Sequence, residues 1–273
     1  MKKYLIPLII ILAAFLVVVC LYLGTYQFEG GKPMQWKEKE NQVRSRLLEV
    51  PILLYHNIDG AGDFSISLDV LRQQFEILRA ENIKVISLKE LIKRLEDPVP
   101  FDGDVIVITF DDGYPSMYTK MMPLVKEFNY PVTLFVYTDF IHIRPGVLLD
   151  WKSLIEMDSE LLSIQCHSIS HADLEALSEK DSSAARKQLF DEIFLSKRML
   201  EVALGKEIEF FAFPYGRYNI HLLDLCAQAG YRRVFSTDYG ANIITTDNYS
   251  LRRHHIKKDF SLDLFKKIVR NKR

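Results

Sequence analysis

Apolar and polar positions along residues 51–273 fall into two alternating textures. Short, nearly unbroken apolar runs occupy Ile52–Tyr55, Lys84–Ser87, Val105–Phe110, Val132–Val136, Leu161–Cys166, Ile208–Phe213, Arg232–Ser236 and Leu251–Ile256, the pattern of strands buried on both faces. Between them, apolar residues three and four apart predict helices over Leu68–Glu81, Leu88–Leu95, Ser116–Phe128, Trp151–Met157, Asp181–Leu204, Asn219–Ala229 and Ser261–Val269. The helix over Asp181–Leu204 is the clearest, with Leu189, Ile193, Leu200 and Leu204 on one stripe. Strands that alternate with helices pair in parallel through crossovers, and about eight of them suit a closed barrel. The expected fold is therefore α/β, a distorted (β/α) barrel of about seven to eight parallel strands. Such barrels carry their chemistry at the carboxyl ends of strands, so a functional motif should fall directly after an apolar run.

One apolar run stands outside this alternation. Leu5–Leu23 carries no charge and follows Lys2 and Lys3; at about 1.5 Å per residue it spans roughly 28 Å, close to the hydrocarbon thickness of a bilayer. A cleaved signal peptide has a shorter apolar core and a small-residue cleavage site, which Thr25-Tyr26-Gln27 does not offer. A lipoprotein signal would use Cys20, but Val19 precedes it where a small residue is expected. The expectation is one transmembrane helix over residues 1–24, with a signal peptide as the alternative. A linker or stalk follows over 25–50, broken at Gly30-Gly31-Lys32-Pro33, and then one domain over 51–273. Lys2 and Lys3 favour a cytoplasmic N-terminus. That orientation places the domain on the extracellular side of a cell membrane, or makes the protein secreted if the segment is cleaved.

Composition narrows the classes further. Hydrophobic residues at 48% and charged residues at 26% of 273 exclude a disordered or low-complexity chain. A net charge of −1 argues against a nucleic-acid partner. From Arg252 onward nine Lys and Arg face only Asp259 and Asp263, the balance of a solvated amphipathic helix end, with an anionic wall or membrane surface as the alternative contact. Three cysteines (Cys20, Cys166, Cys226) without a CxxC build neither a disulfide framework nor a zinc ribbon.

Three apolar runs end in chemistry. Val105–Phe110 runs into Asp111-Asp112-Gly113-Tyr114. Two carboxylates terminating a buried strand are hard to explain by packing, although Asp-Asp-Gly alone also reads as a turn or cap. Adjacent side chains on an extended chain point opposite ways, so the two Asp can serve different roles. Leu161–Cys166 runs into His167-Ser168-Ile169-Ser170-His171, and two His four apart can converge on one metal. One carboxylate with two imidazoles forms a facial triad with open positions, suited to zinc or another divalent ion. Ile208–Phe213 runs into Pro214-Tyr215-Gly216, a turn whose exposed N–H groups could face a developing oxyanion.

In this order, TFDDG, HSISH and FAFPYG resemble the first three motifs of the NodB-homology polysaccharide deacetylases, carbohydrate esterase family 4. The resemblance covers roughly Pro51 to the C-terminus. Pro51-Ile52-Leu53-Leu54-Tyr55-His56 resembles the opening of the membrane-anchored and poly-N-acetylglucosamine branches. Leu149-Asp150-Trp151 resembles an aromatic motif, and Leu251-Arg252-Arg253-His254-His255 a final segment in which a histidine is expected. The resemblance implies Asp111 as general base, and Asp112, His167 and His171 as ligands of a divalent metal, with Zn2+ favoured over Co2+, Ni2+ or Mn2+. It implies the Tyr215 N–H as oxyanion donor and His254 or His255 as general acid, with that choice open. Trp151, Tyr215, Leu251 and His56 would contact substrate.

Ala212 stands where many relatives carry an Arg that pairs with the catalytic Asp; Arg217, Arg252 or Arg253 could substitute. The implied activity is metal-dependent removal of N-acetyl groups from a surface polysaccharide containing N-acetylglucosamine, either peptidoglycan or poly-N-acetylglucosamine. The implied partners are that polysaccharide and, through the anchor, a bacterial membrane. The alternatives are an O-acetyl esterase on xylan or wall sugars, and an idle tethered glycan-binding protein.

Overall fold

Among the described residues nine strands carry the architecture: β1 (Ile52–Tyr55), β2 (Lys84–Val85), β3 (Val105–Asp112), β4 (Val132–Val136), β5 (Leu162–Cys166), β6 (Phe210–Ala212), β7 (Arg233–Phe235), β8 (Ser250–Leu251) and β9 (His254–His255). The computed structural model describes residues 50–96, 101, 103–139, 147–240, 242 and 249–270. The expected anchor over 1–24 and all but the last residue of the stalk lie outside the described residues. Among the described residues no helix is long and apolar enough to cross a membrane.

Helices connect the strands: α1 (Leu68–Ala80), α2 (Leu88–Glu96), α3 (117–128, with a π turn over Met117–Met121), α4 (Trp151–Met157), α5 (Leu174–Ser178), α6 (183–204, with a π turn over Asp191–Leu195), α7 (Ile220–Gln228) and α8 (Leu262–Val269). Local chemistry sets where many of them start. Ser67, Asp150, Asp173, Ser182, Asn219 and Ser261 each sit in extended backbone and accept the N–H three residues on, satisfying a donor the helix itself leaves free. The short helix α5 was not expected from the pattern, and α6 starts two residues later than expected because Ser182 caps it.

All pairings are parallel, and the order of neighbours is β8-β7-β6-β5-β4-β3-β1-β9, with β2 on the start of β3. The two-residue period divides each strand. Leu53, Tyr55, Ile106, Ile108, Phe110, Leu134, Val136, Ile164, Cys166, Phe211 and Val234 join one core with the helix residues Leu71, Phe75, Leu189, Ile193 and Leu200. The opposite parity, including Thr109, Asp111, Phe135, Phe210 and Phe235, is also buried and fills the inside of the curl.

The closed barrel and the single strand over Leu251–Ile256 are both corrected by this topology. The pattern predicts one strand there, whereas the structure holds two, β8 and β9, on opposite edges of the sheet. Only Arg252 and Arg253 separate them, and three Cα steps reach at most about 11 Å. The sheet must therefore curl until its edges nearly meet, and a backbone crossing, not a ladder, bridges the gap. The result is a curled, unclosed half-barrel.

Arg253 seals that gap. It is fully buried and makes a bidentate pair with Asp111 of β3, at 2.8 and 2.7 Å. Its Nε donates to Ser236 O at 3.0 Å, and its guanidinium lies over the Phe135 ring. Burial opposes ionisation of Asp111, but Arg253, together with His167 and His56, outweighs it and holds the carboxyl below its ordinary value of 3.8. The pair's contribution to stability is therefore complete above that value and is lost as the pH falls through the lower folded value. Arg253→Leu should cost about 3–5 kcal/mol, because it strands a buried carboxylate. Urea unfolding at pH 7 checks this; a loss within error of wild type would remove the pair from its structural role.

Candidate active site

Four strand ends converge on one cavity of about 700 Å3, lined among others by His56, Asp111, Asp112, His167, His171, Tyr215 and His255. Asp111 and Asp112 close β3, His167 follows β5, Tyr215 follows β6 and His56 follows β1. The strand-end rule read from the sequence thus holds for each of these motifs.

Asp112, His167 and His171 offer ligand atoms all within 4.8 Å of one another. Asp112 Oδ1 lies 3.6 Å from His167 Nε2 and 3.4 Å from His171 Nε2, and it is buried without a hydrogen-bond partner. Such an orphaned carboxylate oxygen is costly unless something positive completes it. The donor set and the orphaned atom together fit a divalent cation. His167 is prepared for that role. Its Nδ1 meets Ala212 O at 2.7 Å, and a carbonyl can only accept, so Nδ1 carries the proton and Nε2 presents its lone pair. Burial pushes the His167 pKa down to about 4. Burial also opposes ionisation of Asp112, yet His171, His56 and His167 together hold its carboxyl well below the usual range.

The backbone at the site is unusual. Six non-glycine residues among those described have positive φ: two are asparagines in turns, and the others are Asp112 (79°), Ser168 (75°), His171 (58°) and Tyr215 (58°). Left-handed backbone at such residues costs of order 1–3 kcal/mol each and persists only where the surroundings impose it. Gly216 shows how they do so. A Cβ there would lie 2.1 Å from Thr237 Oγ1, so only glycine lets the Pro214-Tyr215-Gly216 turn sit against Thr237, whose hydroxyl donates to Tyr215 O. The turn's own bonds use the N–H groups of Gly216 and Arg217, which leaves that of Tyr215 outside them.

The final segment bears on two open points. Arg253, rather than Arg217 or Arg252, pairs with Asp111; Arg217 pairs with Asp173 instead. His255 lines the cavity, its ring 4.7 Å from that of His56 and its Nε2 3.2 Å from His56 Nδ1. Burial lowers the pKa of His56 and pushes that of His255 down to about 3. His254 points away from this pair: it is buried against Tyr239 and does not line the cavity.

Two expected substrate contacts are not among the residues that line this cavity. Leu251 is fully buried in β8, beside Phe235. Trp151 opens α4 and packs against the core. The small hollow beside Asp112 is lined instead by Gly113, Val136, Tyr137, Leu148, Leu149 and Leu154. Conversely, Phe64 and Tyr239 stand half-exposed at the cavity rim, Phe64 stacked 4.7 Å from His255. Phe64 had a signal in the sequence: a large apolar residue in a loop that also holds Asp59, Gly60, Gly62 and Asp63.

Comparison with known proteins agrees with this architecture. Residues 99–234 match the family "Polysaccharide deacetylase". A Bacillus subtilis relative named "Putative polysaccharide deacetylase YxkH" is 26% identical over 246 residues, 86% of this chain and 82% of the relative. A Staphylococcus epidermidis poly-beta-1,6-N-acetyl-D-glucosamine N-deacetylase is 26% identical over 205 residues, 72% of this chain and 70% of the relative. The Streptococcus pyogenes deacetylase PplD, solved in complex with acetate, superposes with a TM-score of 0.73 at 25% identity, covering 81% of this chain and 98% of that one. Over residues 99–234 and in its fold, the chain is therefore similar to the polysaccharide deacetylases.

Proposed function

We propose that this chain is a metal-dependent N-deacetylase of a surface polysaccharide containing N-acetylglucosamine, poly-N-acetylglucosamine or peptidoglycan. The observation that carries the reading is the convergence of Asp112, His167 and His171 around an orphaned carboxylate oxygen, with a second carboxylate, Asp111, beside them. Relatives named as poly-beta-1,6-N-acetyl-D-glucosamine N-deacetylases support the polymer. The uncharged run Leu5–Leu23 supports a membrane-tethered enzyme with this domain on the extracellular side.

Asp112, His167 and His171 would hold the ion, Zn2+ by preference. When bound, it supplies Lewis-acid polarisation of the acetyl carbonyl and of a water. Asp111 takes the proton of the attacking water; Arg253 fixes the plane of its carboxylate and keeps it ionised. The Tyr215 N–H receives the developing oxyanion. His56 and His255 pass a proton to the departing amine. Burial disfavours a charged ring in both at rest, so the proton they deliver is the one Asp111 has taken from the attacking water. The rim aromatics Phe64, Tyr215 and Tyr239 offer apolar faces to sugar rings.

Acetate and free amine released from β-1,6 and β-1,4 N-acetylglucosamine oligomers test the reading directly. Release should stop with chelator and return with zinc or cobalt; oligomers bound without release would leave a glycan-binding protein. Asp111→Asn should retain the ion and lose at least about 10³-fold in turnover, whereas His167→Ala should lose the ion itself. Equal ion loss in both would contradict the division of roles. His56→Ala and His255→Ala should each lower kcat about 10²–10⁴-fold, while His254→Ala keeps turnover; the reverse order would return the acid to His254.

A further inference from the structure

The two proposed metal ligands on one loop, His167 and His171, are separated by Ser168, Ile169 and Ser170, and a residue that does not line the cavity holds that loop. Glu192 lies on α6 and is 3% exposed. One of its carboxylate oxygens accepts the N–H groups of Ile169 and Ser170, at 2.8 and 3.0 Å, and the other accepts the Ser170 hydroxyl. The far side of the loop is tied to the chain beyond β4: the N–H groups of Thr138 and Asp139 donate to Ser168 O and Ile169 O. Ser168 Oγ accepts the His171 N–H at 3.2 Å. Ser168 and His171 both carry positive φ, so this loop conformation is not one the chain adopts unaided.

Glu192 occupies the apolar stripe of α6 beside Leu189 and Ile193, where a carboxylate is out of place for packing. The helix is π-wound over Asp191–Leu195 at that point, an irregularity that often marks a functional position. Ser196, one turn on, returns its hydroxyl to Glu192 O at 2.6 Å and also meets Cys166 Sγ. That links the helix bulge to the strand that delivers His167.

We infer that Glu192 is a positioning residue for the metal centre: its three hydrogen bonds set the path of residues 168–170, and thereby the distance and angle between the His167 and His171 rings. The inference rests on the reading of Asp112, His167 and His171 as metal ligands. Glu192 touches neither ion nor substrate, so it acts on affinity for the ion rather than on the chemistry.

The test uses the full chain, stripped of metal and titrated with Zn2+ against a chromophoric chelator. Glu192→Ala should raise the zinc dissociation constant about 10–100-fold, and Glu192→Gln, which keeps an acceptor for both N–H groups, by less than about tenfold. With Co2+ the visible band of Glu192→Ala should change in intensity and that of Glu192→Gln should match wild type. The thermal midpoint of the metal-free protein separates a structural role. If Glu192→Ala lowers that midpoint while zinc binds as in wild type, the positioning role is overturned. Glu192→Gln as weak as Glu192→Ala would overturn it as well. Should Glu192→Ala fail to fold, Ser170→Ala removes one of the three bonds from the loop side. A several-fold weaker zinc affinity then supports the inference, and an unchanged one overturns it. Wild-type protein that binds no zinc would instead defeat the reading of the centre itself, and the inference with it.

Discussion

A curled sheet whose two edges are joined by a two-residue backbone crossing has one weak seam, and Arg253 occupies it. Its guanidinium reaches across the inside of the curl to Asp111 in a bidentate pair, with Ser236 O and the Phe135 face completing its surroundings. A buried ion pair of this kind is not a large net source of stability, but breaking it from one side is expensive. The same contact therefore ties the β8 and β9 edges to β3 and fixes the carboxylate on which the proposed chemistry turns. Fold and site meet in a single side-chain pair.

The rest of the site is arranged around that fixed point. Asp111 and Asp112 are neighbours in sequence with opposite surroundings: one is neutralised by a guanidinium, the other faces imidazoles and keeps an oxygen unpaired. Left-handed backbone at Asp112, Ser168, His171 and Tyr215 collects local strain at the strand ends, where the half-barrel can impose it. Ala212 contributes only its carbonyl, and that carbonyl orients His167. The pairing with Asp111 that the resemblance expects from an arginine at this position is made instead by Arg253, from the crossing between β8 and β9.

Most of this was legible in the residues because strand periodicity and strand-end motifs are local signals. The apolar runs of β1, β3, β4 and β5 and the positions of Asp111, Asp112, His167 and His171 emerge from the pattern alone. What escaped is non-local. Leu251–Ile256 reads as one extended run, and only the curl of the whole sheet shows that it spans two edges. Arg217, Arg252 and Arg253 are equivalent in sequence; burial and reach separate them. His254 and His255 differ only in which face of β9 they occupy, a one-residue parity set by pairing with Leu53 and Leu54 of β1. Trp151 and Leu251 were placed by motif likeness; packing buries Leu251 and leaves Trp151 partly buried against the core.

The central claim is that Asp112, His167 and His171 hold a single divalent ion with Asp111 beside it. Anomalous diffraction at the zinc edge from crystals of the zinc-loaded protein tests it most directly. The account predicts one strong site with Asp112, His167 Nε2 and His171 Nε2 at roughly 2.0–2.2 Å, and Asp111 outside the coordination sphere, still paired with Arg253. An ion lodged elsewhere, or bound through Asp111 with Asp112 left aside, would contradict it.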